Sequence, residues 1–456
     1  MATKKSSKAT AKSTSSDTTT FSVSSPVDEL LLAALESGGD GFETGRYLIT
    51  FKEGAAEEGL QSLGAQGMRV ADTRDFAGQA AVLEEVGDAD AIVFPEIGVA
   101  LVGGDAAQAS AMTVGLELAA DSPIESIDPE PFVFAAHDFG GYLQESFAPA
   151  AESGGGGESL RSAARILEAI AKEVYGLRQP QLEIEEEVAV LGATWGLIAC
   201  RVPPSTRSGA GIKVAVLDTG MDLGHPDFAG RPIVSRSFVG QPVQDLHSHG
   251  THCIGTACGP KAPPGNTPRY GIGYQSSIFV GKVLSNSGGS VGGSVLNGMN
   301  WAIANRCQVI SMSLGGGGGP FPFYTAAGQA ALNNGCLIIA AAGNNAGATL
   351  APANSPTIMS VASLDPNLRP SSFSNFGKID IAAPGRDVFS SVPRPTRYGI
   401  KSGTSMATPH VAGCAALWAQ TSPNLRGVAL RQRLQATARR LPFPPARVGA
   451  GLVQAP

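Results

Sequence analysis

Four polar residues stand in apolar surroundings at points where a hydrolytic site could be built: Asp218, His249, Asn344 and Ser405. A carboxylate, an imidazole, a carboxamide and a hydroxyl supply an orienting anion, a general base, an oxyanion donor and a nucleophile, which is the set that acyl transfer requires. Ser405 lies among small residues in Ser-Gly-Thr-Ser-Met-Ala-Thr-Pro-His-Val-Ala-Gly, positions 402–413, and the apolar run Val411 to Ala419 follows. That pattern predicts a buried helix with the hydroxyl at its mouth, where free N–H groups and the positive end of the helix dipole point outward. Pro409 is expected in the first turn, where its missing donor costs nothing, and Gly403 lets the backbone approach a ligand closely. Taken singly, each residue has an ordinary reading: an N-cap hydroxyl, a capping Asp, a surface or core His, a turn Asn.

The elements that must position these groups are strands. Ile212 to Leu217, Ser277 to Leu284, Val309 to Leu314 and Cys336 to Ala342 are continuous apolar runs, with helical stretches at 292–306 and 325–334 between them. Apolar strands alternating with helices predict a parallel sheet covered on both faces, with ligands at the carboxyl ends of the strands. Polar groups fall at those ends: Asp218-Thr219-Gly220, Ser313-Leu314-Gly315 and Gly343-Asn344-Asn345. His247, His249 and His252 raise a rival reading as a metal site. The segment lacks the Glu of a His-Glu-x-x-His zinc helix, which argues against it.

With these residues in view, 195–454 resemble a subtilisin-type serine protease. Four motifs carry the resemblance: Val216 to Asp222 with His225-Pro226-Asp227, His249-Gly250-Thr251-His252, Ala340 to Asn344, and Gly403 to His410. They occur in the order Asp, His, Ser that this group of enzymes uses. The resemblance implies a three-layer α/β fold and a serine endopeptidase working through an acyl-enzyme. Ser405 would be the nucleophile, His249 the general base, Asp218 its orienting partner and Asn344 an oxyanion donor. It also implies that extended protein or peptide substrates pair with Ser313-Leu314-Gly315 and with the Gly288-Gly289-Ser290 segment through Gly289. The chemistry then needs no cofactor. Asp227 matches a carboxylate that binds a structural Ca²⁺ in many relatives, with Asn266 as a companion. Cys253, one helical turn after His249, is expected beneath the imidazole. Asn345 stands where an acidic residue would favour Lys or Arg, so a broad or apolar preference is expected at the primary pocket.

The rest of the chain divides by composition. Residues 1–44 begin as a basic, Ser/Thr-rich tail expected to be disordered. From 45 to 135, strand patterns at 47–51, 81–83, 97–102 and 124–131 and helices at 57–67 and 110–118 predict a small α+β unit. It resembles the inhibitory propeptide of the same group, which would make it a partner in cis and the protein an autoinhibited precursor. A linker, 136–194, carries Gly154 to Gly157 and a helical pattern from Leu160 to Tyr175; the catalytic unit is expected over 195–456. Maturation could cut near Ala135, in the Gly-rich linker or near Gly192. A net charge of -6 gives no reason to expect a nucleic-acid partner. No apolar run reaches the roughly 20 residues of a membrane span. The N-terminus lacks the basic-then-apolar order of a secretory leader, so a cytoplasmic location is expected. Six scattered cysteines look like small core residues.

Overall fold

The computed structural model describes residues 21–27, 29–31, 34, 43–109, 122–135 and 192–456. The expected helices at 110–118 and 160–175, the Gly-rich linker centre and the first twenty residues lie outside these.

In chain order the first unit contains β1 (Glu43–Phe51), α1 (Ala56–Ala65), β2 (Val70–Asp72), β3 (Ala91–Phe94), β4 (Val99–Val102), α2 (Gly104–Ala109) and β5 (Ile124–Ala135). The second contains α3 (Trp195–Ala199), β6 (Lys213–Asp218), β7 (Ile233–Ser237), α4 (His249–Cys258), β8 (Ser277–Lys282), β9 (Gly289–Val291) and α5 (Gly292–Ala304). It continues with β10 (Val309–Met312), β11 (Leu314–Gly315), α6 (Pro322–Asn333), β12 (Leu337–Ala341), β13 (Met359–Leu364), β14 (Ile381–Pro384), β15 (Val388–Ser391), β16 (Tyr398–Lys401), α7 (Thr404–Thr421) and α8 (Gly427–Thr437).

Seven strands form the central sheet in the order β14-β13-β12-β10-β6-β8-β7, with every neighbouring pair parallel. Because side chains alternate across a strand, Val214 and Val216 of β6 join α4 and α7 in one core, while Ala215 and Leu217 join α5 and α6 in the other. This is the three-layer arrangement expected from the sequence. The four recognised strands are β6, β8, β10 and β12.

The first unit is a second sheet, β5-β1-β4-β3-β2, antiparallel except for β2 and β3. Its inner face, with Leu48, Ile92, Phe94 and Leu101, shares the core of α5 and α6; its outer face packs Ile49, Phe51 and Val93 against Leu63 of α1. Two expectations fail here. Residues 81–83 are not a strand: Ala81 and Leu83 are buried, but the chain runs into a single 3-10 turn at Leu83–Glu85. The tail expected over 1–44 is not featureless past residue 20, since Phe21, Val23, Leu30 and Leu31 are buried and Val23 O accepts from Arg46 Nη1 at 2.7 Å.

The sheet does not end at β5. Its far edge pairs antiparallel with β9 (Phe132 with Val291, Phe134 with Gly289) and with β11 (Ala135 with Leu314). The first unit therefore completes its sheet on two strands of the second.

Candidate active site

The carboxyl ends of β6, β10 and β12 open on one side of the central sheet, and the starts of α4 and α7 meet them there. Asp218 is the last residue of β6, and the turn after it needs Gly220 at φ 102°, where a Cβ would come 2.1 Å from Val243 O. His249 is the first residue of α4. Its Nδ1 lies 2.7 Å from Asp218 Oδ1, with both side chains buried. The Thr219 N–H donates to the same Oδ1 at 2.8 Å, so this oxygen is fixed twice. Burial pushes the Asp218 carboxyl up, but the imidazole and this N–H outweigh it and the net shift is downward. The carboxylate is the stable partner of the ring.

Ser405 is the second residue of α7 and is buried. Pro409 sits in the second turn of that helix, not the first as expected. Having no N–H, it leaves the Ser405 carbonyl without its i+4 donor. The carbonyl instead accepts from Ser313 Oγ at 2.7 Å and from Cys253 Sγ at 3.6 Å. An apparent helix fault thus ties the seryl residue to β10 and α4. The Ser405 hydroxyl donates to Ser313 O at 3.3 Å, and His249 Nε2 has no hydrogen-bond partner among the described residues. The Asp–His half of the constellation is therefore formed, and the Ser–His contact is not made in this state.

Asn344 follows β12 through Gly343, whose φ of 110° and crowding against Asn375 and Leu350 exclude a side chain. The Asn344 amide oxygen accepts from the Thr404 N–H at 2.7 Å and the Thr404 hydroxyl at 3.0 Å. With its oxygen bound at the start of α7, next to Ser405, the NH₂ is the donor end of the side chain.

Cys253 lies where the spacing placed it, with Sγ 3.9 Å from His249 Nδ1. Burial, with Asp218 nearby, pushes its thiol well above the ordinary range, so it is a neutral thiol and not a competing nucleophile. The three histidines are not gathered around one point. His252 Nε2 meets Val388 O at 2.9 Å, and burial with Lys401 keeps its ring well below its ordinary value, hence neutral. The groups that do converge are Asp218, His249 and Cys253.

The expected calcium ligand is corrected. Asp227 is buried, and its carboxylate accepts from Tyr270 OH at 2.5 Å and from Tyr398 OH at 2.9 and 3.1 Å; Arg397 Nη2 stands 3.9 Å away. Two phenol donors and a guanidinium occupy the positions other oxygens would need, while Asn266 is exposed. These residues do not fit a Ca²⁺ site.

Ser313, Leu314, Gly315 and Gly289 flank the site, and β5 lies between their two strands. The Ala135 N–H donates to Gly288 O at 2.8 Å. Among the described residues the segments expected to hold an extended peptide hold this one.

Residues 209–451 match the model of the subtilase family. The chain belongs to the subtilase family. This subtilase is 39% identical over 240 residues to subtilisin E of Bacillus subtilis, which spans 51% of the chain and 61% of that protein. It is 41% identical over 226 residues to thermitase of Thermoactinomyces vulgaris, 48% of the chain and 79% of that protein. A solved structure of a cold adapted subtilisin-like serine proteinase aligns with a TM-score of 0.51 at 32% identity, covering 58% of this chain and 98% of its own. The subtilase thus spans about three fifths of the length of the subtilisins it matches. No helix among its described residues is long and apolar enough to cross a membrane.

Proposed function

We propose that this subtilase is a serine endopeptidase made as an autoinhibited precursor. The observation that carries the reading is the 2.7 Å contact between His249 and Asp218 at the strand ends where Ser405 and Asn344 also lie. In the reaction, the Ser405 hydroxyl turns from Ser313 O to His249 Nε2, gives up its proton and attacks the scissile carbonyl. Asp218 holds the Nδ1 proton in place and stabilises the imidazolium. The Asn344 NH₂ and the Ser405 N–H stabilise the oxyanion. His249 then protonates the leaving amine, and water repeats the sequence on the acyl-enzyme.

Substrates are extended protein or peptide segments that add a strand between β9 and β11. In the precursor β5 takes that place, which supports the first of the three expected cuts, just beyond Ala135. The competing reading is a silent peptide-binding protein; the Ser405 hydroxyl directed at Ser313 O favours it. A fluorophosphonate decides between them in the matured protein: covalent labelling at Ser405 supports the peptidase, and no labelling supports the binder. Mass spectrometry of the purified product locates the cut. A new N-terminus near Gly192 alone, with the 135–136 region intact, would sink the assignment of β5.

A further inference from the structure

The proposed chemistry makes no use of Asp245, yet this carboxylate is fully buried beside the site and accepts five hydrogen bonds. Its Oδ1 takes the Thr219 hydroxyl at 3.0 Å, the His247 N–H at 3.0 Å and the Ser248 N–H at 2.9 Å. Its Oδ2 takes the Thr251 N–H at 2.9 Å and the Thr251 hydroxyl at 2.7 Å. The donors come from both elements that carry the Asp–His pair: Thr219 follows Asp218, and residues 247 to 251 surround His249.

Thr219 joins the two. Its N–H donates to Asp218 Oδ1, its hydroxyl donates to Asp245 and accepts from the Gly250 N–H at 2.8 Å, and its carbonyl accepts from Lys282 Nζ at 2.5 Å. Lys282 is also buried, and it donates to Asn286 Oδ1 at 2.8 Å. Ser248, immediately before His249, adopts φ 78°, a left-handed conformation that costs a non-glycine residue energy and persists only when its surroundings hold it. The Asp245 carboxylate supplies that hold.

We propose that Asp245 is a positioning residue for the subtilase reaction, acting through Thr219 and Thr251 to fix the angle at which the Asp218–His249 pair faces Ser405. A carboxylate is required because all five partners are donors. An amide would turn its own NH₂ against at least two of them, whichever way it faced. Misplacing a catalytic group by about 1 Å costs on the order of 100-fold in rate without weakening substrate binding in proportion.

This inference rests on the endopeptidase reading, and the test separates the two. In the full-length protein, matured as wild type matures, Asp245→Asn is expected to lower kcat about 100-fold with KM little changed. Thr219→Val is expected to fall in the same way, while Thr219→Ser, which keeps the hydroxyl, retains near wild-type kcat. The Nδ1 proton shared by His249 and Asp218 gives a far-downfield NMR line that should move or broaden in Asp245→Asn. A folded Asp245→Asn with wild-type kcat and an unmoved line overturns the proposal. Should Asp245→Asn fail to fold, the threonine pair decides, and Thr219→Ser as impaired as Thr219→Val overturns it. A wild-type protein inert to fluorophosphonate sinks the peptidase reading instead, and the NMR line still tests the positioning.

Discussion

The two sheets of this protein differ at their edges. The central sheet is parallel, buried on both faces by helices, and puts its chemistry at the carboxyl ends of its strands. The N-terminal sheet is mostly antiparallel and completes its edge by hydrogen bonding to β9 and β11, the walls of the site. Both sheets are packed on two faces, the N-terminal one against α5 and α6 on its inner side and α1 on its outer side, so the ladders add to an apolar interface. The comparison teaches that the first unit is joined to the second by main-chain ladders at the site as well as by a shared core.

The largest effect that can break this comparison is at the nucleophile. Ser405→Ala is expected to abolish both hydrolysis of added peptide and the proposed cut beyond Ala135, with a loss of turnover on the order of 10⁶, the size such a deletion has in a subtilisin. Active-site titration and the mass of the purified chain measure the two together. A variant that is still cut in a protease-free preparation would mean that β5 is not a substrate of its own cleft.

Next comes a buried contact between the first unit and α5. Glu130 of β5 is fully buried; its Oε2 accepts from Arg46 Nε at 2.7 Å and Thr44 Oγ1 at 2.6 Å, and its Oε1 from the Gly293 N–H at the start of α5 at 2.7 Å. A carboxylate at a helix N-terminus is favourable, but removing it strands a buried guanidinium. Glu130→Ala should destabilise the first unit by about 3–5 kcal/mol, the usual cost of leaving one partner of a buried pair, and it removes the bond from the Gly293 N–H that ties β5 to α5. The uncut chain should then react with a fluorophosphonate some orders of magnitude faster. Unchanged labelling would show that the β9 and β11 ladders and the core shared with α5 and α6 hold β5 without Glu130.

Asn344→Ala sharpens the assignment on the other side of the site. Turnover should fall about 10² to 10³, the loss seen in a subtilisin when one oxyanion donor goes. The variant should also lose some order at the start of α7, since the Asn344 oxygen anchors Thr404. A kcat loss with KM held constant identifies the oxyanion role, and a loss of thermal stability alone would replace it with a structural one.

How far the sequence revealed all this depends on where each signal resides. β6, β8, β10 and β12 are apolar runs ended by polar residues, and both features survive in the text. β7 (Ile-Val-Ser-Arg-Ser) is an exposed edge, and β13 and β14 are short runs diluted with Ser and Ala; none stands out against a Gly- and Ala-rich background. β5 was legible only to its prolines. Pro129 and Pro131 are two residues apart, so their missing N–H groups fall on one edge of the strand, and it continues to Ala135. Asp227 was misread because a carboxylate at a family position says nothing of Tyr270 and Tyr398, which arrive from 43 and 171 residues away. Asp245 was missed for the same reason. Its importance lies in Thr219 and Thr251, and no periodicity marks a residue whose partners are defined by tertiary contact.

The smallest expected effect concerns stability against acid, and it should fall on the second unit. His410, on α7 one turn and a half beyond Ser405, is buried against the start of the second unit; a Cβ on Gly196 would come 2.4 Å from its Nε2. Its Nδ1 donates to Met406 O at 2.8 Å, and Nε2 has no partner among the described residues. Protonating Nε2 would bury an N–H with no acceptor, and burial accordingly lowers the ring to about 4. In the unfolded chain the same ring takes up its proton near pH 6.5. Between these values the unfolded state holds the extra proton, so the stability is whole above pH 6.5 and lost as pH falls through 4, up to about 3 kcal/mol. Denaturant titrations of wild type and His410→Leu at pH 7 and pH 4 should therefore converge: the variant gives up less on acidification. His252, also buried and neutral, titrates in the same direction and leaves a residual slope in the variant. Parallel pH curves for the two proteins would place the acid sensitivity elsewhere, with the carboxylates that hold the N-terminal sheet as the next candidates.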